Sequence, residues 1–400
     1  MTKKLYEANA LLKSCQAVVT SCSKDGDRYL IETDQTVFFP EGGGQLSDRG
    51  ALGEARVLHV SEKDGHIYHE CDRALEVGKA VNAALDWDVR LDRMQQHLGE
   101  HILSYACWKL FKANNVGFHM YEDNVTIDLD AELDEKQLLE AELLTNRIIW
   151  DNRPVKVSYM DSTEAVALKD KMRKFNSKLT GLLRIVAVED ADICTCCGTH
   201  PPFTGMVGSV KVIRHEKHKG GCRVEFLCGK RALLDADMKN ANLLAIAAGF
   251  STKPELVAEH IIKFKEDISA SLEEAKKKLL AIQQNALLDL YNEAPAKADG
   301  MKVLVMPMDG YDARDIKSML PAVAALENVV TIMAAAKDER ISYAVVAGVN
   351  TNADCRAYMK LVNEAFGGRG GGKPDCAQGG SDYCADWREK LNSIEAAMLK

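Results

Sequence analysis

Two pairs of metal-binding residue types, far apart in the sequence, most restrict how this chain can fold. His97 and His101 are four residues apart in QQHLGEHIL, inside a pattern typical of a helix, and this spacing puts both imidazoles on one helix face. Cys196 and His200 have the same spacing in CCGTH, but the glycine between them and the two prolines that follow favour a bent loop. If one ion binds both pairs, the helix and the loop must meet in the folded chain.

Three imidazoles and one thiolate form a donor set that suits Zn²⁺ in tetrahedral geometry. Either pair alone is weak evidence, because most such pairs are surface or core residues, but the two together favour zinc. The sequence leaves the sulfur ligand open among Cys194, Cys196 and Cys197, of which Cys196 has the tighter spacing to the next histidine. Cys222 and Cys228 could form another site, although such cysteines are more typical of a strand core.

The stretch TVFFPEGGGQLSDRG, residues 36–50, places three glycines directly after an apolar run. Gly42, Gly43 and Gly44 carry no side chain, so the loop is either a tight turn or a pocket wall whose N–H groups face a ligand. The triplet by itself favours the turn. A pocket becomes the better interpretation only if other motifs point to the same place.

The first part of the chain predicts an α+β fold. Residues 28–39, 55–60 and 66–70 are rich in β-branched and aromatic residues and are separated by glycine turns, as in antiparallel strands. The patterns that follow predict helices at 86–111 and 134–150, and strands at 155–160, 183–188, 208–214 and 223–228.

The later part changes in character twice. Residues 255–292 carry apolar residues at helical spacing among many Glu and Lys, which predicts one long helix or a helical hairpin. From residue 301, short apolar strands alternate with helical patterns, which favours a small α/β domain with a mostly parallel sheet. Within the tail GGRGGGKPDCAQGGSD, Gly367 to Gly372 and Lys373 are interpreted as a turn or a loop that contacts other groups through its backbone.

Charge and cysteine content limit the class of protein. The net charge of -8 argues against indiscriminate nucleic-acid binding, but seven cations lie between residues 211 and 231, with Glu216 and Glu225 as the only acids of that segment. That segment is either a basic patch or a solvated hairpin. The chain has no long apolar segment and no signal-peptide pattern, so we expect a cytoplasmic protein whose twelve cysteines are mostly reduced.

Four segments together resemble a known family. TVFFPEGGGQLSDRG, HLGEH, and CCGTH followed by GMVGSVKVI are similar, in this order, to the signatures of the editing domain of alanyl-tRNA synthetases. The tail GGRGGGKPDCAQGG resembles the DHH-associated domain that ends those enzymes, and the resemblance covers nearly the whole chain. Because the first segment begins at Thr36, the resemblance implies a stand-alone editing protein of the AlaX type, in the long form with the C-terminal domain.

The resemblance implies a fold and a division into domains. We expect an α+β editing region with a β-barrel-like part and a zinc-binding α/β part, then a helical arm and a small C-terminal α/β domain. The predicted domains are a β-rich subdomain with the GGGQ loop, the zinc-binding editing domain, the helical arm and the DHH-associated domain, at residues 1–85, 86–240, 241–298 and 299–400.

The implied reaction is hydrolysis of the ester that joins serine or glycine to alanine tRNA, with Zn²⁺ held by His97, His101, Cys196 and His200. Gly42 to Gly44 would lie beside the 3′ end of the tRNA, and Gln45 would point toward the aminoacyl group. Thr36 would bind the serine hydroxyl, because a site built around a hydroxyl rejects substrates that lack it. The basic residues implied for tRNA phosphates are Arg214, Lys217 and Lys219, and the last domain is expected to contact tRNA and to form a homodimer, with no membrane partner.

Two mechanistic points stay open in the sequence. Zinc either activates water or holds the ribose and the ester, and four protein ligands favour the second role. Glu100, within HLGEH, is a general base for water, a partner of a metal ligand, or an ordinary acid on the helix surface. The preference between serine and glycine is not determined.

Two other functions fit parts of the sequence. HLGEH also satisfies the H-x-x-E-H pattern of a zinc metallopeptidase, but such an enzyme would need neither CCGTH nor GGGQ. A non-catalytic tRNA-binding or dimerisation protein with a structural zinc is the second rival. The glycine-rich tail also occurs beside DHH phosphoesterases, but this sequence contains no Asp-His-His triplet.

Overall fold

The computed structural model describes residues 1–166, 172–173 and 180–399. The chain forms two compact units, Met1–Ile246 and Ala247–Lys400. The elements of the first unit are β1 (Lys3–Lys4), α1 (Leu5–Ala8), β2 (Ser14–Asp25), β3 (Arg28–Thr33), β4 (Gln35–Thr36), β5 (Gly50–Leu52), β6 (Ala55–Lys63), β7 (His66–Cys71), β8 (Ala80–Leu85), α2 (Trp87–Phe111), β9 (Asn115–Met120), β10 (Val125–Leu129), α3 (Glu135–Trp150), β11 (Val155–Asp161), α4 (Ser162–Val166), β12 (Leu182–Val188), β13 (Ile193–Thr195), a 3₁₀ turn (Thr204–Val207), β14 (Val210–His218), β15 (Gly221–Cys228) and α5 (Gly229–Gly249), which runs past the boundary. Those of the second unit are a 3₁₀ turn (Pro254–Leu256), α6 (Val257–Glu293), β16 (Lys302–Asp309), α7 (Ala313–Ala324), β17 (Val329–Lys337), β18 (Arg340–Ala347), α8 (Cys355–Phe366), β19 (Arg369–Gly372), β20 (Cys376–Asp382) and α9 (Trp387–Leu399).

The first part of unit 1 is a closed barrel with the strand order β2-β3-β7-β6-β5-β8. Its strands alternate between buried apolar and exposed polar residues, as expected for strands with one face on a core. In β7, for example, Ile67, His69 and Cys71 point inward and are fully buried. The apolar run before the glycines, Val37 to Phe39, fills the same core.

The second part of unit 1 is built on helix α2. Asp86 caps its N-terminus, and Lys112 ends it in a left-handed conformation with φ of 60°. Apolar residues of α2 pack with α3 against an antiparallel sheet with the order β14-β15-β10-β9. A separate sheet, β11-β12-β13, leads directly into the CCGTH segment.

A buried ion pair joins α2 to the barrel. The guanidinium of Arg90 binds the carboxylate of Asp48, and neither side chain has any solvent exposure. Arg90 Nη2 also donates to the carbonyl of Val37 at 2.6 Å, and Asp48 accepts from the N–H of Phe39 at 2.6 Å. Because Asp48 follows the glycine loop closely in sequence, the pair fixes that loop against the helix.

Unit 2 is an α/β domain, but its sheet is not the mostly parallel one that the sequence favoured. The order is β16-β17-β18-β20-β19, in which β16 and β17 run parallel and the remaining pairs are antiparallel. A two-residue turn, with Asp338 at φ of 55°, joins β17 to β18, and so short a connection can only link antiparallel strands. The expectation of a mostly parallel sheet is therefore wrong.

The glycine-rich tail also differs from its prediction. Residues of GGRGGG form β19, an edge strand that pairs antiparallel with β20, rather than a turn or loop. Gly370 and Gly372 lie so close to the neighbouring strand that an added Cβ would come within 2.5 Å of its backbone atoms. Close strand pairing thus explains the glycines at positions 370 and 372.

The remaining elements agree largely with the sequence patterns. The helices predicted at 86–111 and 134–150 are α2 and α3, and the long pattern at 255–292 is one helix, α6, rather than a hairpin. Helix α5 was not predicted. The division into four domains stays a prediction beside the two observed units, and within the described ranges no helix is long and apolar enough to cross a membrane.

Replacing Asp48 by Ala should destabilise unit 1 by about 3–5 kcal/mol, because it leaves the buried Arg90 charge without its partner. The control is Arg28→Ala, which breaks an exposed pair with Glu70 and should cost no more than about 1 kcal/mol. Urea unfolding of both variants measures the difference. Equal small losses would show that the Arg90–Asp48 pair does not hold the helix to the barrel.

Candidate metal centre

The structure brings the two predicted ligand pairs together. His97 and His101 lie on α2, whereas Cys196 and His200 lie in the loop after β13, and ligand atoms of all four are within 4.8 Å of one another. Cys196 Sγ is 3.3 Å from Nε2 of His97 and 3.3 Å from Nε2 of His200. The three imidazoles are buried and the thiol is partly buried.

These distances fit a tetrahedral ion. Zinc binds sulfur at about 2.3 Å and nitrogen at about 2.0 Å, which places sulfur and nitrogen ligands roughly 3.5 Å apart in a tetrahedron. The observed separations of 3.3 Å are close to that value. The donor set and its spacing therefore suit zinc.

Protonation states favour Cys196 over the other two cysteines as the sulfur ligand. Burial opposes ionisation of Cys196, but the neighbouring His97 and His200 outweigh it and hold its pKa well below the usual range. Burial raises the pKa of Cys194 to about 11, so that group stays a thiol, and Cys197 is exposed outside the cluster. Burial also lowers the pKa of His200 to about 3.

Gln45 connects the glycine loop to both ligand pairs. Its Oε1 accepts from Nδ1 of His97 at 2.8 Å and from the N–H of Thr199 at 3.0 Å, while its Nε2 donates to the Thr199 hydroxyl at 2.8 Å. Because Nδ1 of His97 carries the proton, Nε2 is left with the lone pair that faces Cys196. Gln45 is fully buried, so its carboxamide orients His97 and does not point toward an open substrate space as the sequence suggested.

Gly198 is needed for this contact. A Cβ at this position would lie 2.2 Å from Cε1 of His97 and 2.8 Å from Oε1 of Gln45. The CCGTH loop can therefore approach α2 closely only with glycine at its centre.

His101 is oriented by a second buried group. Its Nδ1 lies 3.1 Å from Oδ2 of Asp192 and 3.1 Å from Sγ of Cys194, and Arg173 donates to Asp192 through Nε at 2.9 Å. Although burial opposes ionisation, Arg173 and His101 lower the pKa of Asp192 to about 2. A carboxylate behind a ligand histidine is a common arrangement at zinc sites, and it leaves Nε2 of His101 for the metal.

Glu100 is not a surface acid. Its side chain is buried, and Oε1 accepts from the Ser104 hydroxyl at 2.7 Å and from Nδ2 of Asn115 at 2.6 Å. Its other oxygen lies 3.8 Å from Nε2 of His101. The interpretation of Glu100 as an ordinary acid on the helix surface is therefore wrong. Its roles as a general base for water and as a partner of a metal ligand stay open.

The three glycines form a tight turn at the edge of this centre. Gly42 and Gln45 exchange two backbone hydrogen bonds of 3.0 Å, and Gly43 and Gly44 have φ of 60° and 83°, which only glycine adopts freely. Gly44 packs on the ring of Phe118, which in turn lies against His97 with 5.3 Å between ring centroids. The turn is structural, and it also borders the ligand cluster.

Thr36 lies in the barrel with its hydroxyl engaged. Nδ1 of His69 is 2.9 Å from the carbonyl of Ile31, which can only accept, so Nε2 of His69 accepts from the Thr36 hydroxyl at 2.8 Å. The Thr36 oxygen also accepts from the N–H of Phe38 at 3.1 Å. Burial lowers the pKa of His69 to about 4, so its ring is neutral at ordinary pH.

The basic segment at 211–231 forms the hairpin β14–β15 and the start of α5, but its charges are mostly paired. Acids from this hairpin and from other elements form ion pairs with six of the cations: Lys211–Glu142, Arg214–Glu225, Lys217–Glu132, Arg223–Asp128, Lys230–Asp88 and Arg231–Asp92. The cations therefore face acids of other elements as well as Glu225 of their own segment. Lys219 lies in the turn of the hairpin.

Sequence reasoning missed several residues of the centre. Thr199 lies inside CCGTH and could have been noticed there, and Asp192 is two residues before Cys194. Arg173, Asn115 and Phe118 carry no signal in the sequence, because only the fold brings them to α2.

Known proteins resemble this chain over most of its length. Residues 183–225 match the family described as the threonyl and alanyl tRNA synthetase second additional domain, and residues 300–399 match the DHHA1 domain. The chain is 30% identical to the alanyl-tRNA editing protein AlaX-L of Pyrococcus horikoshii, over 95% of this chain and 94% of that protein. It is 28% identical to the alanine-tRNA ligase of Pyrococcus abyssi, over 98% of this chain but 43% of the ligase. A solved C-Ala domain of the Aquifex aeolicus alanyl-tRNA synthetase covers 26% of this chain and 96% of its own at 14% identity, with a TM-score of 0.24, which is too low to inform the fold.

Replacing Gly198 by Ala should weaken zinc binding by about tenfold or more, because the added carbon displaces His97 and Gln45. Competition with a chelator measures the affinity. The matched control is Gly249→Ala, where no atom lies within 4 Å of the added carbon. Unchanged zinc affinity in Gly198→Ala would contradict the geometry of the loop.

Proposed function

Because the chain belongs to the AlaX family of alanyl-tRNA editing proteins, in its long form, we propose that it removes wrongly attached serine or glycine from alanine tRNA by hydrolysis of the ester bond. The observation that carries the proposal is the convergence of the helix pair and the loop pair on one centre, bordered by the GGGQ turn. The family resemblance of the sequence motifs implied a site built from these three segments, the helix pair, the loop pair and the GGGQ turn.

We assign zinc to His97, His101, Cys196 and His200. Bound zinc supplies either a polarised water or an anchor for the ribose and the ester, and four protein ligands favour the anchor because a catalytic zinc usually keeps one position open. The protein prepares the ligands for this ion. Gln45 fixes the tautomer of His97, Asp192 does the same for His101, and the Cys196 thiol ionises readily.

Glu100 is our candidate for the group that accepts a proton from the attacking water. Ser104 and Asn115 hold one of its oxygens, which leaves the other facing His101 at the edge of the ligand cluster. Gln45, in contrast, has its carboxamide bound to His97 and Thr199. These contacts support a positioning role for Gln45.

Contact with the tRNA is assigned to the glycine turn and to the hairpin. Gly43 and Gly44 are exposed beside the centre, where an approaching 3′ end would meet backbone rather than side chains. Arg214, Lys217 and Lys219 stay predicted phosphate contacts, since exposed ion pairs are weak enough to exchange for phosphate oxygens. The C-terminal domain is proposed to bind the tRNA and a second copy of itself.

The two rival functions are less well supported. A peptidase of the H-x-x-E-H type would not need Cys196 and His200 beside its histidines, yet both lie in the cluster. A tRNA-binding protein with a structural zinc would bind alanine tRNA without releasing the amino acid. A peptide-cleavage assay and a deacylation assay separate these rivals from the editing function.

The first test is incubation of the purified protein with alanine tRNA charged with serine, glycine or alanine. We expect release of serine or glycine and little release of alanine. Cys196→Ala should lose zinc and lower the release by more than about a hundredfold, because the ion loses its sulfur ligand. Cys197→Ala removes the exposed neighbouring thiol and should change neither quantity, whereas full activity in zinc-free Cys196→Ala would exclude the mechanism.

The second test concerns Thr36. Its O–H donates to His69 and its oxygen accepts from the N–H of Phe38, which leaves one lone pair for the serine hydroxyl. The side chain is fully buried, so this contact requires that the strand end open toward the substrate. Thr36→Val should lower the ratio of seryl to alanyl ester hydrolysis by about two- to tenfold, the effect of one hydrogen bond. Thr33→Val removes another buried hydroxyl nearby and is the control, and an equal ratio in both variants would exclude Thr36 as the selective residue.

A further inference from the structure

Arg93 is a buried cation that the proposed chemistry does not use. It lies on α2 four residues before His97, so the two side chains leave the helix on the same face, about one turn apart. Its side chain is 2% exposed. Its Nη1 is buried and has no hydrogen-bond partner among the residues that the structure describes. A buried guanidinium with an unused donor is costly, which indicates that another group binds there.

A second arginine and one carboxylate complete this cluster. Arg93 Nη2 lies 3.3 Å from Oε1 of Glu122, and Arg49 Nη2 lies 2.5 Å from the same oxygen. Glu122 is in the short connection between β9 and β10, and its side chain is 54% exposed. One carboxylate oxygen shared by two guanidinium groups occupies the position that an oxygen of a phosphate would take.

Two other acids near the cluster, Asp48 and Asp92, already have partners. Asp48 binds Arg90 within the buried ion pair described above, and Asp92 binds Arg231 at 2.6 Å. Two guanidinium groups therefore share one oxygen of Glu122. This contrasts with the hairpin β14–β15, where most of the cations have an acid of their own.

From this arrangement we propose that Arg93 and Arg49 bind the phosphate that precedes the terminal nucleoside of the substrate tRNA, an inference that rests on the proposed function. Glu122 occupies the site when no tRNA is bound. Because its side chain is largely in solvent, it can turn away and uncover the unused donor of Arg93. The phosphate then accepts from both guanidinium groups.

The position of the cluster explains why this phosphate is the one bound. The ester to be cleaved is on the ribose of the terminal nucleoside, whose 5′ phosphate is the nearest anion of the tRNA to that ester. Arg93 lies one helical turn from the candidate ligand His97. This distance is comparable to the distance between that phosphate and the ester. A contact to this phosphate would fix the terminal ribose relative to the metal centre without contacting the amino acid.

The test measures binding of two uncharged tRNAs, alanine tRNA of full length and the same tRNA without its 3′-terminal nucleotide. The wild-type protein should bind the full-length tRNA about tenfold more tightly or better, because the truncated one lacks the phosphate. Arg93→Gln should remove most of this difference in affinity between the two tRNAs. In a double-mutant cycle, this result shows that Arg93 and the terminal phosphate are coupled. The variant's slope of log affinity against log salt should fall by about the 0.7 expected for one phosphate contact on a single strand.

Glu122→Gln should change the affinity for full-length tRNA in the opposite direction from Arg93→Gln. If Glu122 competes with the phosphate, its neutral variant should bind full-length tRNA several-fold more tightly and the truncated tRNA as before. A purely structural role of Glu122 would weaken binding or leave it unchanged, and either result would overturn the proposal. This variant and Arg49→Gln decide the question if Arg93→Gln does not fold.

Arg28→Gln is the matched control, because Arg28 is an arginine of the barrel with an exposed glutamate partner and should affect neither tRNA. Equal weakening of both tRNAs by Arg93→Gln would place Arg93 away from the terminal phosphate and overturn the proposal. Binding and deacylation are separate readouts. Deacylation with no coupling at Arg93 refutes the phosphate site alone, whereas coupling without deacylation by the wild-type protein refutes the editing function.

Discussion

The candidate centre depends on one buried carboxamide. Gln45 accepts hydrogen bonds from the ring of His97 and from the backbone of Thr199, and it donates to the Thr199 hydroxyl. A buried amide without these partners would carry a desolvation penalty, so the glycine turn, the helix pair and the loop pair stabilise one another through Gln45. Gly198 allows the approach, since any side chain there would overlap His97 and Gln45.

Helix α2 organises the first unit through a single face. Arg90, Arg93, His97 and His101 follow one another at spacings of three or four residues, so their side chains leave the helix along one line. The first holds the barrel through Asp48, and the last two enter the ligand cluster. Arg93, between them, is the one with an unused donor. The helix therefore sets the distances among the barrel, the proposed phosphate site and the metal centre.

The distribution of charge limits how this acidic chain would bind the proposed tRNA. The net charge is -8, and most cations of the β14–β15 hairpin are paired with acids. Recognition of a polyanion then depends on a few guanidinium groups at defined positions rather than on a broad positive surface. Arg49 and Arg93, which share one carboxylate, are guanidinium groups of this kind.

The sequence by itself determined the features that local rules control. Helical periodicity predicted α2 and α3, the spacing of His97 to His101 and of Cys196 to His200 predicted the candidate ligand residues, and the ordered motifs indicated the family. The distinction among the three cysteines of CTCCGTH was left to the fold, because the pKa of each thiol depends on which histidines surround it in space.

Only the tertiary structure decided which groups meet across long distances in the chain. It placed Asp192 and Arg173 behind His101, buried Glu100 against Asn115, and brought acids from other elements to the basic hairpin. It also made the C-terminal sheet mostly antiparallel, through a two-residue turn that the strand patterns did not reveal. These outcomes depend on packing between segments whose positions in the sequence carry no record of their contacts, because hydrogen bonds and burial are set by proximity in the folded chain.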